Sequence, residues 1–163
     1  MATRGRPTRF QIAPELGKAW RALVELGEDN RLPIPKDATQ RAAWLGRDQA
    51  VLAVLEEDGS ATLLPYETHG KRVEAILTEL AALETEEAEL QILAIRATRL
   101  RFAIYDDGRM LASADLRNCL GLSPAGAFYL SLTVFGQKAT LKAKGLREIS
   151  EAHSILETIN FDA

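Results

Sequence analysis

Asn30-Arg31-Leu32-Pro33-Ile34-Pro35-Lys36-Asp37 is answered later in the chain by Gly108-Arg109-Met110-Leu111-Ala112-Ser113-Ala114-Asp115, with the arginines 78 positions apart (109 minus 31). Each octet grows out of a turn-forming cluster, Glu28-Asp29-Asn30 or Asp106-Asp107-Gly108. Asn, Asp and Gly tolerate the positive backbone angles that hairpin turns demand. Each octet leads to a leucine-glycine step, Leu45-Gly46 or Leu120-Gly121. A β-like run follows, Ala50-Val51-Leu52-Ala53-Val54-Leu55 or Ala127-Phe128-Tyr129-Leu130-Ser131-Leu132. Then comes Ser60-Ala61-Thr62-Leu63-Leu64 or Lys138-Ala139-Thr140-Leu141. A repeated unit too small to bury its own apolar face buries it against its copy. The chain therefore reads as one fold of two similar halves.

Outward from the octets, the halves share a plan. Leu100, Phe102 and Ile104 alternate like a strand just before the second turn. The matching stretch before the first turn reads two ways. Leu16, Trp20, Leu23 and Gly27 suit a helix with a glycine stop, whereas Ala22, Val24 and Leu26 alternate; the second half tips Trp20–Leu26 towards a strand. Short helices are expected over Lys36–Trp44 and Ser113–Leu120. Hairpins should turn at Glu57-Asp58-Gly59 and near Gly136-Gln137. A helix closes each half, through Val73, Ile76, Leu77, Leu80 and Leu83 in the first and Leu146, Ile149, Ile155, Leu156 and Ile159 in the second. Between the halves a helix should start at Thr85, whose hydroxyl can cap it, with Glu86 and Glu87 facing its positive end and Leu90, Leu93 and Ala94 as its apolar stripe. The domain plan is residues 1–8 as a basic arm, 9–83 as the first half with a possible opening strand over Arg9–Ile12, 84–98 as a helical connector and 99–163 as the second half.

Composition narrows the function classes. The chain has 163 residues, 47% apolar and 26% charged, with one cysteine. That is a globular composition, without the run of about 18 apolar residues a membrane span needs. No disulfide can form within the chain, and a reducing cytoplasm fits. Net charge is −3, but residues 1–21 carry five basic residues against Glu15 alone, a balance of +4. The rest carries fifteen basic and twenty-two acidic residues, or −7. Local charge sets a phosphate-binding footprint.

A turn ending in Gly-Arg or a near variant, a short strand, a small helix, a leucine-glycine step and a second hairpin resemble the swapped-hairpin AbrB-like fold. Two copies in one chain, each followed by a helix, are similar to the MraZ family of transcriptional regulators, over roughly residues 20–160. The resemblance implies an α+β, pseudo-two-fold β-barrel with flanking helices, its halves interleaving their strands. It also implies homo-oligomers that bind repeated promoter elements in double-stranded DNA, in the cytoplasm and on the nucleoid. Interleaving fits the physics, because a half of about 60–70 residues has a meagre core alone. The family's short motif places an Asp four residues before an Arg. Here Gly27 stands before Arg31 and Tyr105 before Arg109, with Asp29 and Asp106 close by but out of register.

The candidate DNA contacts are Arg4, Arg6, Arg9, Arg31, Lys36 and Arg109. Arg4-Gly5-Arg6-Pro7 matches the core of an AT-hook, which lays two arginines in the narrow, strongly negative minor groove of A·T-rich DNA. A plain solvated terminus is the competing reading. Arg31 and Arg109 occupy equivalent places after each turn and could meet phosphates or guanine edges as a pair; alternatively each pairs with its neighbouring turn acids, Asp29 for the first and Asp106 or Asp107 for the second. Arg41 and Arg117 could extend the surface. His69, His153 and Cys119 are too scattered for a zinc site, and no metal, cofactor or catalytic group is expected. Phosphate-loop, nucleophile-elbow and His-Glu-x-x-His patterns are absent, so the chain reads as a non-enzyme. The rival is a protein-interaction or assembly protein that keeps the barrel without binding DNA, which the acidic pI of about 5.5 favours.

Overall fold

Seven residues settle the first element of the described part. In a computed structural model, which describes residues 19–122 and 128–144, Trp20–Leu26 is a strand, β1. Val24 and Leu26 are buried while Leu23 is 52% exposed. Burial thus follows the two-residue period of a strand, not the spacing that would place Trp20 and Leu23 on one helical face. The basic arm, Arg9–Ile12, the turn at 123–126, His153 and the closing helix expected through Leu146–Ile159 lie outside the described residues.

After β1 come β2 (Arg31–Pro33), α1 (Lys36–Arg41), β3 (Ala50–Leu55), β4 (Ala61–Pro65), α2 (Lys71–Leu83) and α3 (Glu86–Thr98). The second half has β5 (Arg99–Ala103), β6 (Arg109–Leu111), α4 (Ala114–Leu120), β7 (Phe128–Phe135) and β8 (Lys138–Lys144). Six strands form one antiparallel sheet in the order β1-β7-β8-β4-β3-β5, and β2 pairs only with β6. The halves interleave. β1 of the first half lies on β7 of the second, and β5 of the second lies on β3 of the first.

The registers define a pseudo-two-fold axis. Thr62 pairs with Thr140, its own counterpart 78 residues on, flanked by Ala61–Leu141 and Leu63–Ala139, which exchange under the same step. In the ribbon, Leu32 likewise pairs with its counterpart Met110. Around that pair, Ile34 N donates to Gly108 O at 3.0 Å and Ala112 N to Asn30 O at 2.8 Å, each the other's image. Asn30 and Gly108 both take positive φ, 63° and 79°, as the turn chemistry requires.

The step changes between the short helices and β4: the leucine-glycine landmarks are 75 apart (120 minus 45). Core-facing Val51 and Ala53 in β3 match Leu130 and Leu132 in β7, a step of 79 (130 minus 51). Aligning Ala50 with Ala127 by sequence gave 77. The hairpins restore the register: the first turns through Glu57-Asp58-Gly59, whereas the second has only Gly136-Gln137 between paired Phe135 and Lys138. Gly136, at φ 62°, supplies the positive angle at the first central position of such a tight turn.

The expected closed barrel is not what forms. The six-stranded sheet is open, and its end strands β1 and β5 do not pair with each other. The segments that would have to close it, β2 and β6, hold three residues each, and Pro33 has no amide to donate. They reach the sheet through tight turns instead. Gly27 N donates to Arg31 O at 3.1 Å, and Tyr105 N to Arg109 O at 2.9 Å.

The core lies between the inner sheet face, the ribbon and the short helices. Leu32, Leu45, Leu63, Ile104, Met110, Leu116, Leu130, Leu132 and Leu141 are almost wholly buried there. Both halves contribute, as interleaving demands. The indole of Trp44 donates to Gly136 O at 3.2 Å and ties the first half to the second half's hairpin. On the outer side, α2 and α3 make a helical hairpin reversed at Glu84, which has φ 53°. Thr85 Oγ1 accepts from Ala88 N at 3.1 Å and caps α3. The hairpin's apolar stripe is left largely uncovered: no α2 residue is fully buried, and Leu83, Leu90 and Leu93 are exposed.

Candidate functional site

The ribbon carries the site because its register sets the two arginines diagonally across from each other, both within ion-pair distance of Asp29. Arg109 is the cross-strand partner of Pro33, and Arg31 that of Leu111. Leu32 and Met110 point into the core with no exposed surface, so the alternation of a strand turns Arg31 and Arg109 outward. Their side chains are 40% and 42% exposed.

Each arginine leaves a turn built by an aspartate two residues earlier. Asp29 Oδ1 accepts from Arg31 N at 3.2 Å, and Asp107 Oδ1 accepts from Arg109 N at 3.0 Å. These two aspartates are counterparts at the 78-residue step, and of the two acids expected beside Arg109, Asp106 or Asp107, it is Asp107 that pairs with it. An aspartate bonded to the backbone in this way fixes a turn locally.

The side chains form one ion-pair network across the ribbon. Asp29 Oδ2 lies 3.5 Å from Arg31 Nε and 3.7 Å from Arg109 Nη1. Asp107 Oδ2 accepts from Arg109 Nε at 2.8 Å, with Nη2 also at 2.8 Å. The hydrogen bond from the Arg109 side chain, with that from its amide, holds the Asp107 carboxyl below the ordinary aspartate range. The same bond raises Arg109 above its ordinary value. Tyr105 adds an aromatic wall: the Arg31 guanidinium carbon stands 5.5 Å from its ring centre, within cation–π range.

The remaining candidates disperse. An open groove of about 510 Å³ is lined by Glu25, Gly27, Asp29, Arg31, Pro33 and Arg109; its two carboxylates offset its two arginines, so this face is not strongly basic. Lys36 starts α1 and lines a separate groove of about 580 Å³ with Arg47, Asp106 and Asp107. Arg117 does not extend the surface, because its Nη1 donates to Ala112 O at 3.1 Å. Arg4, Arg6 and Arg9 are outside the described residues. Cys119 is partly buried, and that burial raises its thiol pKa. Among the described residues no three His, Cys, Asp or Glu side chains group to hold a metal ion. No helix among them is long and apolar enough to cross a membrane.

No family model and no curated protein matches this chain.

Proposed function

We propose that the chain is a DNA-binding transcriptional regulator of the AbrB/MraZ kind, non-enzymatic, acting in the cytoplasm as a homo-oligomer on double-stranded DNA. The observation that carries this reading is the pair of two-fold-related arginines, Arg31 and Arg109, held diagonally across from each other on an exposed ribbon. Surface ion pairs contribute only about 0–1 kcal/mol, so phosphate or a base edge can displace a carboxylate from an arginine that the turn has already aimed. Arg4 and Arg6 supply a basic arm over residues 1–8 whose sequence suits the minor groove, and Arg9 adds a positive charge just after it. Several linked sites would offset the modest charge of each copy through effective concentration.

A second reading, an assembly protein without DNA binding, is favoured by two observations. Asp29 and Asp107 neutralise the arginines, and Leu83, Leu90 and Leu93 stand uncovered on the helical hairpin. Fluorescence anisotropy against the protein's own upstream DNA and a scrambled control, across a salt series, separates the two. A DNA reader prefers the upstream fragment, and its log affinity falls with log salt at about −0.9 per neutralised phosphate. Absence of binding to either fragment at low salt contradicts the regulator reading.

A further inference from the structure

The pseudo-two-fold fails where the two arginines meet their surroundings. Tyr105 covers the guanidinium of Arg31, but its counterpart 78 residues earlier is Gly27. A side chain is poorly accommodated there: a Cβ on Gly27 would lie 2.8 Å from Asp29 Oδ1, the oxygen that accepts the Arg31 amide. Both arginines line the open groove, but among the described residues only Arg31 is backed by an aromatic ring.

The polar edges differ in the opposite sense. Arg109 spends Nε and Nη2 on Asp107 at 2.8 Å. Arg31 has one ion pair, Nε to Asp29 at 3.5 Å, and among the described residues its side chain makes no hydrogen bond. A guanidinium offers five N–H donors in a rigid fork suited to two acceptors in one plane. In Arg109 much of that fork is committed; in Arg31 it is open and backed by an aromatic ring.

We propose that Arg31 is the reading arginine of the ribbon, presenting its guanidinium edge to a planar two-acceptor group, while Arg109 acts as a clamp on its own turn. The acceptor is a pair of phosphate oxygens or the O6/N7 edge of guanine. The assignment takes its biological ligand from the DNA reading, but the inequality of the two arginines is testable without DNA.

The test uses the full chain with ¹⁵N-labelled arginine. The Nε–Hε signals of Arg31 and Arg109 are assigned with Arg31→Lys and Arg109→Lys, and inorganic phosphate is titrated in. The Arg31 signal should move, saturating in the millimolar range, while that of Arg109 stays still. Tyr105→Leu, which removes the aromatic backing, should weaken the Arg31 response. Equal movement of both signals, a larger movement of Arg109 or no movement of either would overturn the assignment. On DNA, Arg31→Lys should lower affinity about ten-fold or more, the scale of a lost bidentate contact, and Arg109→Lys by less than about two-fold. The reverse order overturns the assignment. A loss uniform across sequences identifies phosphate as the acceptor, and one confined to guanine-bearing sites identifies the base edge. If the wild type ignores DNA while Arg31 alone answers phosphate, the regulator reading fails and the assignment stands.

Discussion

Truncating Leu141 to alanine opens a cavity where the two halves meet. Leu141 has no exposed surface and lies across from Ala61 on β4 and Leu132 on β7. Its neighbours belong to central strands that cannot collapse inward without breaking register, so the full penalty of lost contacts plus cavity applies, about 2–5 kcal/mol. Domains are stable by roughly 5–15 kcal/mol in total, so this is a large share. Its two-fold counterpart Leu63 is equally buried, and Leu63→Ala should cost a similar amount. The two leucines are close across β4 and β8, so the double variant should depart from additivity by roughly 0.5 kcal/mol or more. Urea unfolding is the assay: with a slope of about 2 kcal/mol/M, a loss of about 3 kcal/mol lowers the midpoint by about 1.5 M. Leu23→Ala, on the exposed face of β1, is the control and should shift it little. A cost below about 1 kcal/mol for either buried leucine, or a large cost for only one, would refute a core shared evenly by the halves.

Three further outcomes are expected. Gly108, at φ 79° with open space around its Cα, should tolerate Asn, the residue at its counterpart Asn30, whereas Gly108→Val should cost about 1–2 kcal/mol by thermal denaturation. Thr85→Ala removes the cap of α3 and should cost about 1 kcal/mol, read as faster amide exchange in the first turn of that helix. Asp107 has a depressed pKa because it accepts from Arg109. A depressed carboxyl adds stability that is fully present above the ordinary aspartate value and is lost as pH falls through the lower, folded value. Carboxyl ¹³C titration should therefore place Asp107 below ordinary aspartates, and Arg109→Lys should raise it.

The sequence carried the repeat well because its turns, ribbon and central strands keep one numerical step. Leu32 and Met110, and Thr62 and Thr140, are counterparts at that step; that they face each other across the pseudo-two-fold axis is shown by the registers. It misled where the step changed: the one-residue difference between hairpin turns shifted β3 against β7, and alternating apolar residues cannot show a slip when both faces of β3 are covered. Closure into a barrel was not legible, since it depends on whether three-residue strands can reach a neighbour's ladder. At the site, the equivalence of Arg31 and Arg109 was readable from their spacing. The role of Tyr105 was not, because an aromatic residue before a turn reads equally well as core, and its contact with Arg31 crosses from one half to the other.

The interleaving of the two halves is the central feature of the fold, and a cross-link between β1 and β7 tests it directly. Leu23 and Ser131 are cross-strand partners on the outward face. In the Cys119→Ser background, Leu23→Cys with Ser131→Cys should oxidise to an intramolecular disulfide, running as a monomer on a non-reducing gel, with a mass two hydrogens lighter. Failure to close that bond within one chain while the protein remains folded would contradict the interleaved fold and, with it, the matched placement of Arg31 and Arg109.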